Sequence, residues 1–536
     1  MTNNTTRPPD NKWVVAAAVG FGAIMGTIDA SIVNVAMPHI RGSVGATLQE
    51  ITWISTAYII TTVMIMPLTG FLGGLFGQKR VYMASLGLFI FGSALCGLAR
   101  SLSTLVLFRA LQGLGAGALQ PTQQAILRQT FPKEEQAMAM ALFAIVIMVG
   151  PAIGPTLGGW ITDNYSWPWI FYINLPIGGL GLLAVSRFVH EPEDIVHANR
   201  ARARAHRANL DWAGIALMCI AVACMQYFLE EGQSNDWFES TEIRITGAVA
   251  LVALAAFVVR ELTATAPAVN LRLFRNRTFL AGTAIGGMQF AMLMGSMFLL
   301  PVFMQELQGM SATQAGIALV PRTLVMMLVV PFIGRLYNRV PPALLVAIGI
   351  LLFAVGSLEF SHMTLDTSTV ELLAPMAVTG IGFAFLFVSL TTAALADVPR
   401  PLLADAAGLN SFVRQVGGSV GLAVFATLLE RYYVQARAGL LPFVTETRTP
   451  VLQFLHSAGA GLAARGGPTS RAAAVAALGG RVQIQSMVLS FEKAFLVQGI
   501  AFLAALPLLY FLRVQRTKAS RVQPAKPPLG DAQAES

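Results

Sequence analysis

The chain has 536 residues, 55% of them hydrophobic and only 12% charged, with a mean hydropathy of +0.64. Soluble proteins carry roughly 25% charged residues, and a water-exposed surface cannot be built from half that charge, so most of this chain must face lipid. The formal charge of +9 would suit nucleic acid, but the positions of the basic residues assign it to membrane topology instead.

The polar lead, residues 1–12, runs into an apolar stretch with no small-residue cleavage pattern at its end. It reads as a first span, not a signal peptide. At about 20 apolar residues per crossing, fourteen spans follow in chain order: 14–37, 51–74, 81–99, 104–127, 137–161, 168–188, 211–230, 243–262, 278–304, 313–334, 343–362, 371–396, 404–429 and 488–512. With the N-terminus in the cytoplasm, the inside segments hold 23 Lys and Arg residues, whereas the short outside loops hold only Arg41, Arg100 and Arg244. One missed helix would swap the sides, so this asymmetry supports the count and places both termini in the cytoplasm. Cys96, Cys219 and Cys224 lie inside apolar runs without metal-ligand spacing and read as small core residues.

An internal repeat runs through the chain. Pro67-x-x-Gly70-x-Leu72 in span two recurs as Pro331-x-x-Gly334-x-Leu336 in span ten, at an offset of 264. Gly113-x-Gly115 in span four recurs as Gly380-x-Gly382 in span twelve, and Val149-Gly150-x-x-x-Gly154 in span five as Val416-Gly417-x-x-x-Gly421 in span thirteen, both at 267. Corresponding spans sit eight apart, so the two halves cross the membrane in the same direction. Parallel repeats bind substrate near the midplane between halves and alternate access by rocking. The expected organisation is a tail at 1–13, a six-helix bundle at 14–188, and a loop, inserted helix pair (spans seven and eight) and linker at 189–277. A second six-helix bundle with an outside loop at 430–487 occupies 278–512, and a tail closes the chain at 513–536.

Several motifs resemble the major facilitator superfamily, and within it the fourteen-span drug:H⁺ antiporters of the EmrB/QacA type. They are Asp29-Ala-Ser-Ile-Val-Asn34-Val-Ala-Met-Pro38 in span one, Gly70 to Arg80 between spans two and three, and Arg109-Ala-Leu-Gln112-Gly113 in span four. Span five adds Gly150-Pro151-Ala-Ile-Gly154-Pro155-Thr-Leu-Gly158-Gly159, similar to the family's antiporter motif, and span six adds Trp169-Ile-Phe-Tyr-Ile-Asn174-Leu-Pro176-Ile-Gly178. The resemblance implies an all-α membrane fold of two pseudo-symmetric six-helix bundles, proton-driven export of drug-like molecules across the inner membrane, and a periplasmic adaptor of a tripartite efflux system as a partner. A metabolite exporter or importer on the same fold, or a non-transporting sensor, stays open beside it.

The residues themselves single out Asp29, the only carboxylate well inside a span. An ionisable residue in lipid is a functional candidate by default, with a helix-positioning hydrogen bond as the plainer role. At ~1.5 Å per residue, Asp29 and Arg109 reach the same depth from opposite sides, so a proton-coupling pair is geometrically allowed. Arg322 and Arg414 also count to mid-depth and have no acid of comparable depth. They are candidate substrate contacts, or arginines that bond helix-end carbonyls or snorkel. Asn34 and Gln112 complete the substrate-cavity candidates. An excess of buried arginine argues for neutral or weakly acidic substrates over permanent cations.

Gly150, Gly154 and Gly158 line one helix face and admit a neighbouring backbone, while Pro151 and Pro155 weaken the ladder of that helix. Together with Gly159 they read as helix packing, or, through the resemblance, as a hinge between halves. In the conformational loop Gly70, Gly77, Lys79 and Arg80 are present, but Gly74 and Leu75 stand where the family usually has Asp-Arg, which removes the usual carboxylate lock. The basic stretch Arg200 to Arg207 reads as a contact to anionic lipids. No cofactor-binding loop, metal cluster or nucleophile–base set appears in the sequence, which argues against an ATP-driven pump or an enzyme.

Overall fold

In lipid an apolar run of 20 residues can satisfy its backbone only within itself, so helix is the available outcome. The computed structural model describes residues 11–192, 195–197, 211–264, 266–445, 447–464 and 471–512, and it contains helices without a strand among them. The basic stretch Arg200 to Arg207, residues 1–10 of the N-terminal tail and the C-terminal tail 513–536 lie outside the described residues.

Thirteen described helices are long and apolar enough to cross a membrane. Expected span five is a further helix, Gln136–Asn164, 29 residues long, some of whose side chains lie outside the described residues. Two spans are interrupted. Pro67 breaks span two into Leu48–Ile65 and Thr69–Phe76 around a 3₁₀ turn at Met66–Leu68. Span six divides into Trp169–Tyr172 and Asn174–Phe188 at Ile173. Large apolar side chains left uncovered at mid-span, such as Leu251 at 71% and Val252 at 68% exposed, form the lipid-facing surface.

The repeat is a packing repeat. Gly150 and Gly154 of span five abut Thr27 and Ser31 of span one; Gly417 and Gly421 of span thirteen abut Gly287 and Ala291 of span nine. Gly115 lies on Phe89 of span three, and Gly382 on Phe353 of span eleven. Crosswise contacts obey the same symmetry: Gly70, ending span two, meets Asp405 at the start of span thirteen, and Gly334, ending span ten, meets Ala137 and Met138 at the start of span five. Lipid tails give helices no hydrophobic reason to associate, so close approach over small residues holds such bundles together.

The glycine stripe of span five therefore packs within its own half. The expectation of a glycine-lined hinge between halves is corrected here: span five meets the other half through residues off the glycine stripe, among them Ala137, Met138 and Ala141 beneath Gly334 of span ten, and Phe143 beside Phe387. Gly159 has open space around it, and the backbone stays helical through Pro151 and Pro155.

The cores show where the halves join. One apolar cluster, from Ile28 to Ile173, belongs to the N-terminal half alone, and another, from Ala281 to Leu512, to the C-terminal half alone. A third joins them, with Phe143 and Met140 against Met326, Ile333 and Phe387. These shared residues lie toward the end of the bundle that carries the start of span one and the basic loops, here called the basic end. Arg128 donates to the carbonyls of Thr391 and Thr392, Arg400 to Gln129 O at 2.9 Å, and Asn338 to Glu134 O at 2.5 Å. The halves are closed against each other at the basic end.

Spans seven and eight pack on one another beside this bundle. Span seven bridges the halves: Tyr227 stacks on Trp53 of span two with centroids 5.6 Å apart, and Gln226 donates to Ser419 of span thirteen at 3.1 Å. The segment after span thirteen is helical. Span thirteen continues to Leu440, a helix Thr449–Ala464 follows, and span fourteen begins at Arg471, so a helical hairpin projects from the end opposite the basic one.

Candidate functional site

Asp29 is fully buried in span one, and its carboxylate is ringed by donors. Arg109 of span four gives Nη1 to Oδ2 at 2.6 Å; Gln112, one turn further on, gives Nε2 to Oδ1 at 2.9 Å; Asn174 of span six gives Nδ2 to Oδ1 at 2.9 Å. The matched depths of Asp29 and Arg109 are thus a contact. Spacing explains two of the three partners, because residues three apart on a helix share a face. Arg109 Nη1 also donates to Gln112 Oε1 at 2.8 Å, and Nε to Ile54 O at 3.3 Å. Its guanidinium lies 4.0 Å from the Tyr58 ring centre, a cation–π contact in a dry setting. Asn174 is held by Ser93 Oγ at 3.0 Å, and Ser93 donates to Phe171 O at 2.8 Å.

Chemically this is a carboxylate with every near donor supplied by protein. Such a pair tolerates burial only while complete: removing one partner of a buried ion pair costs about 3–5 kcal/mol. Arg109, Gln112 and Asn174, from spans four and six, are thus held to span one through the charge on Asp29.

The other sequence candidates separate. Gln112, expected to line a substrate cavity, is fully buried in the Asp29 network, which corrects its assignment. Asn34 is exposed and accepts from Ser55 Oγ at 3.4 Å. Arg322 and Arg414 are both buried without a carboxylate partner among the described residues. They do not share one depth. Arg322 donates to Ser296 at 3.0 Å, while the Arg414 stem packs on Gly286 and its guanidinium lies 4.4 Å from Phe290. Six residues of span nine separate Phe290 from Ser296, about 9 Å along the axis. Asn174, Ser93 and Tyr58 are site residues that sequence reasoning left without a role, although Asn174 stood inside a recognised motif.

Buried carboxylates also extend beyond Asp29: Asp405, Glu261 and Asp211 are each at least 90% buried near the basic ends of their spans. Two acids reach the loop that lacks its own. Glu191 accepts from Lys79 N at 2.7 Å, and Asp405 lies against Gly70. Gly77 sits at φ +87°, a conformation that suits glycine, with the Glu191 carboxylate beside it. Lys79 Nζ donates to Ser186 O at 2.8 Å, and Arg80 is exposed.

Such a bundle, two parallel repeats with a buried ion pair inside the first, is a multi-pass membrane transporter fold, and comparison with known proteins names it. The Major Facilitator Superfamily pattern matches residues 19–422, so the chain belongs to that superfamily. Within it, the chain is of the EmrB type of drug:H⁺ antiporter. It is 31% identical over 526 residues to the multidrug export protein EmrB of Escherichia coli K12, covering 96% of each chain. It is 32% identical over 501 residues to the fatty acid resistance protein FarB of Neisseria gonorrhoeae, covering 94% of this chain and 96% of that one. The crystal structure of the human organic anion transporter MFSD10 shares the fold, with a TM-score of 0.59 at 13% identity over 94% of this chain and all of that one.

Proposed function

We propose that this chain exports hydrophobic small molecules across the inner membrane in exchange for protons, with Asp29 as the proton site and Arg109, Gln112 and Asn174 as the groups that sense its charge. The observation that carries the reading is the closed ring of donors around one fully buried carboxylate. Relatives named as multidrug export proteins, and one named for fatty acid resistance, support a neutral or weakly acidic apolar cargo.

Charge asymmetry puts the basic end in the cytoplasm, with both termini there. The contacts at Arg128, Arg400 and Asn338 then describe an outward-facing state, in which the bundles 14–188 and 278–512 meet on the cytoplasmic side. Entry of a proton from outside neutralises Asp29 and frees Arg109 for Gln112 and the Ile54 carbonyl. The bundles rock, the cytoplasmic contacts open, and Asp29 loses its proton inward as cargo loads. Glu191 and Asp405 stand in for the acid missing at Gly74, holding the loop at Gly70 to Arg80 while the outward state lasts. Lys79, Arg80 and a cavity of about 300 Å³ lined by Arg128, Lys133 and Arg400 suit anionic lipid on the cytoplasmic side. The hairpin beyond spans thirteen and fourteen suits a periplasmic adaptor.

Energised inverted vesicles test this reading. Export appears there as uphill uptake that an uncoupler abolishes; uptake indifferent to the uncoupler would reject proton coupling.

A further inference from the structure

We infer that Arg414 is a carboxylate-binding site, and that the molecules this protein carries include hydrophobic monocarboxylates bound as anions. The inference rests on reading the chain as an exporter and names a substrate class for it. Arg414 lies in span thirteen and is 4% exposed. Phe290 of span nine and Phe387 of span twelve each lie 4.4 Å from the guanidinium carbon, so the flat cation is held against aromatic faces. What remains for hydrogen bonding is its edge. Nη1 donates to Thr391 Oγ1 at 2.7 Å, but Nε and Nη2 have no partner.

Those two nitrogens matter because of how guanidinium is built. Nε–H and Nη2–H point the same way along one edge, and that edge matches the two oxygens of a carboxylate. Leaving both buried and unpaired is costly, and buried polar groups in native structures are normally satisfied. The neighbours point the same way. Asn410, one turn before Arg414, has an unpartnered Nδ2, and Gln289, one turn from the glycine that the Arg414 stem packs on, has neither amide atom paired. A carboxylate would satisfy the fork and draw on these amides.

The surroundings fix the rest of the molecule. Phe383 and Phe387 lie 5.9 Å apart, and Phe143, from the opposite half, is 6.2 Å from Phe387. An apolar body attached to the carboxylate would therefore lie in an aromatic cluster at the junction of the halves, where rocking must expose it. By the repeat that pairs Thr27 with Gly287, Gln289 is the mate of Asp29. The anion site thus sits at the depth of the proton site but in the other half, so proton and cargo need not compete for one group. Arg322, about 9 Å further along, cannot share the same carboxylate.

The test uses the purified full chain in lipid nanodiscs at neutral pH, with 1-naphthoate and its uncharged amide as probes. Charge-assisted hydrogen bonds predict that naphthoate binds about tenfold to a hundredfold tighter than the amide. In Arg414→Gln that ratio should fall to about one, and Arg414→Lys, a point charge without a fork, should give an intermediate ratio. Equal binding of the two probes by the unmodified chain, which requires no variant to fold, would overturn the inference; so would full carboxylate preference in Arg414→Gln. Uncoupler-sensitive uptake of the amide by inverted vesicles tests the exporter reading separately. Uphill amide transport with a ratio of one leaves the exporter standing without this site. A ratio that depends on Arg414, without uphill transport of either probe, leaves the site standing without the exporter.

Discussion

At the scale of single residues, what mattered most was depth. Asp29 and Arg109 could be matched by counting from opposite membrane surfaces, and they meet at 2.6 Å. Counting gives depth and not direction, so it could not say which way Gln112 faced, and it merged Arg322 with Arg414, whose side chains reach different levels. Asn174 went unassigned because a neutral amide in an apolar helix has no charge to announce a partner. The pair itself can be tested. Replacing Arg109 by Ala leaves the buried Asp29 carboxylate without its charged partner, a loss of about 3–5 kcal/mol. Uncoupler-sensitive transport should be lost and the thermal midpoint lowered. An Arg109→Ala variant with full uncoupler-sensitive transport and an unchanged midpoint would mean that the contact does not matter to Asp29. Gln112→Ala should act in the same direction but more weakly, since a neutral donor contributes less than a charged one; a larger loss than that of Arg109→Ala would reverse this ranking.

At the scale of elements, the glycine pattern was legible and its partner was not. The spacing of Gly150, Gly154 and Gly158 announced a face where another backbone comes close, yet only the structure identified span one as that neighbour. The repeat offered a clue, since the same pattern recurs where span thirteen meets span nine. Gly154→Leu would place a branched side chain against Ser31. Overpacking of this kind costs typically 1–3 kcal/mol and would move span one, with Asp29 two residues before Ser31. Such a variant should show a lowered thermal midpoint together with lost proton coupling. Gly159→Leu, where a side chain meets open space, should leave the midpoint within a degree or two. Equal effects at both positions would show that helix position, not packing against span one, decides the outcome. The segment 430–487, rich in Ala, Gly and Arg, reads from sequence as an outside loop with room for short helices. It includes the helix Thr449–Ala464 and the early turns of the helix Arg471–Leu503.

At the scale of the whole molecule, the two halves are joined at the basic end and keep separate cores beyond it. The all-helical architecture was readable from composition because lipid permits so few architectures, whereas the end at which the halves close was not, since a transporter's one sequence must encode more than one state. Gly73 and Ala404, from opposite halves, offer a direct probe of that state: a Cβ on Gly73 would lie 3.8 Å from that of Ala404, the mean separation in disulfides. Gly73→Cys combined with Ala404→Cys should cross-link under oxidation, stop transport, and recover on reduction. Cross-linking with undiminished transport would mean that the basic end does not open during the cycle.

The central claim is that the charge on Asp29 drives the exchange, and Asp29→Asn puts it to the most direct test. The amide keeps the shape, accepts the bonds of Gln112 or Asn174 through its oxygen, and cannot gain or lose a proton in this range. Uptake of an uncharged substrate by energised inverted vesicles, with the amount of inserted protein matched, should fall to the level reached in the presence of an uncoupler, while substrate binding by the purified variant persists. Full uphill, uncoupler-sensitive uptake by Asp29→Asn would contradict the account.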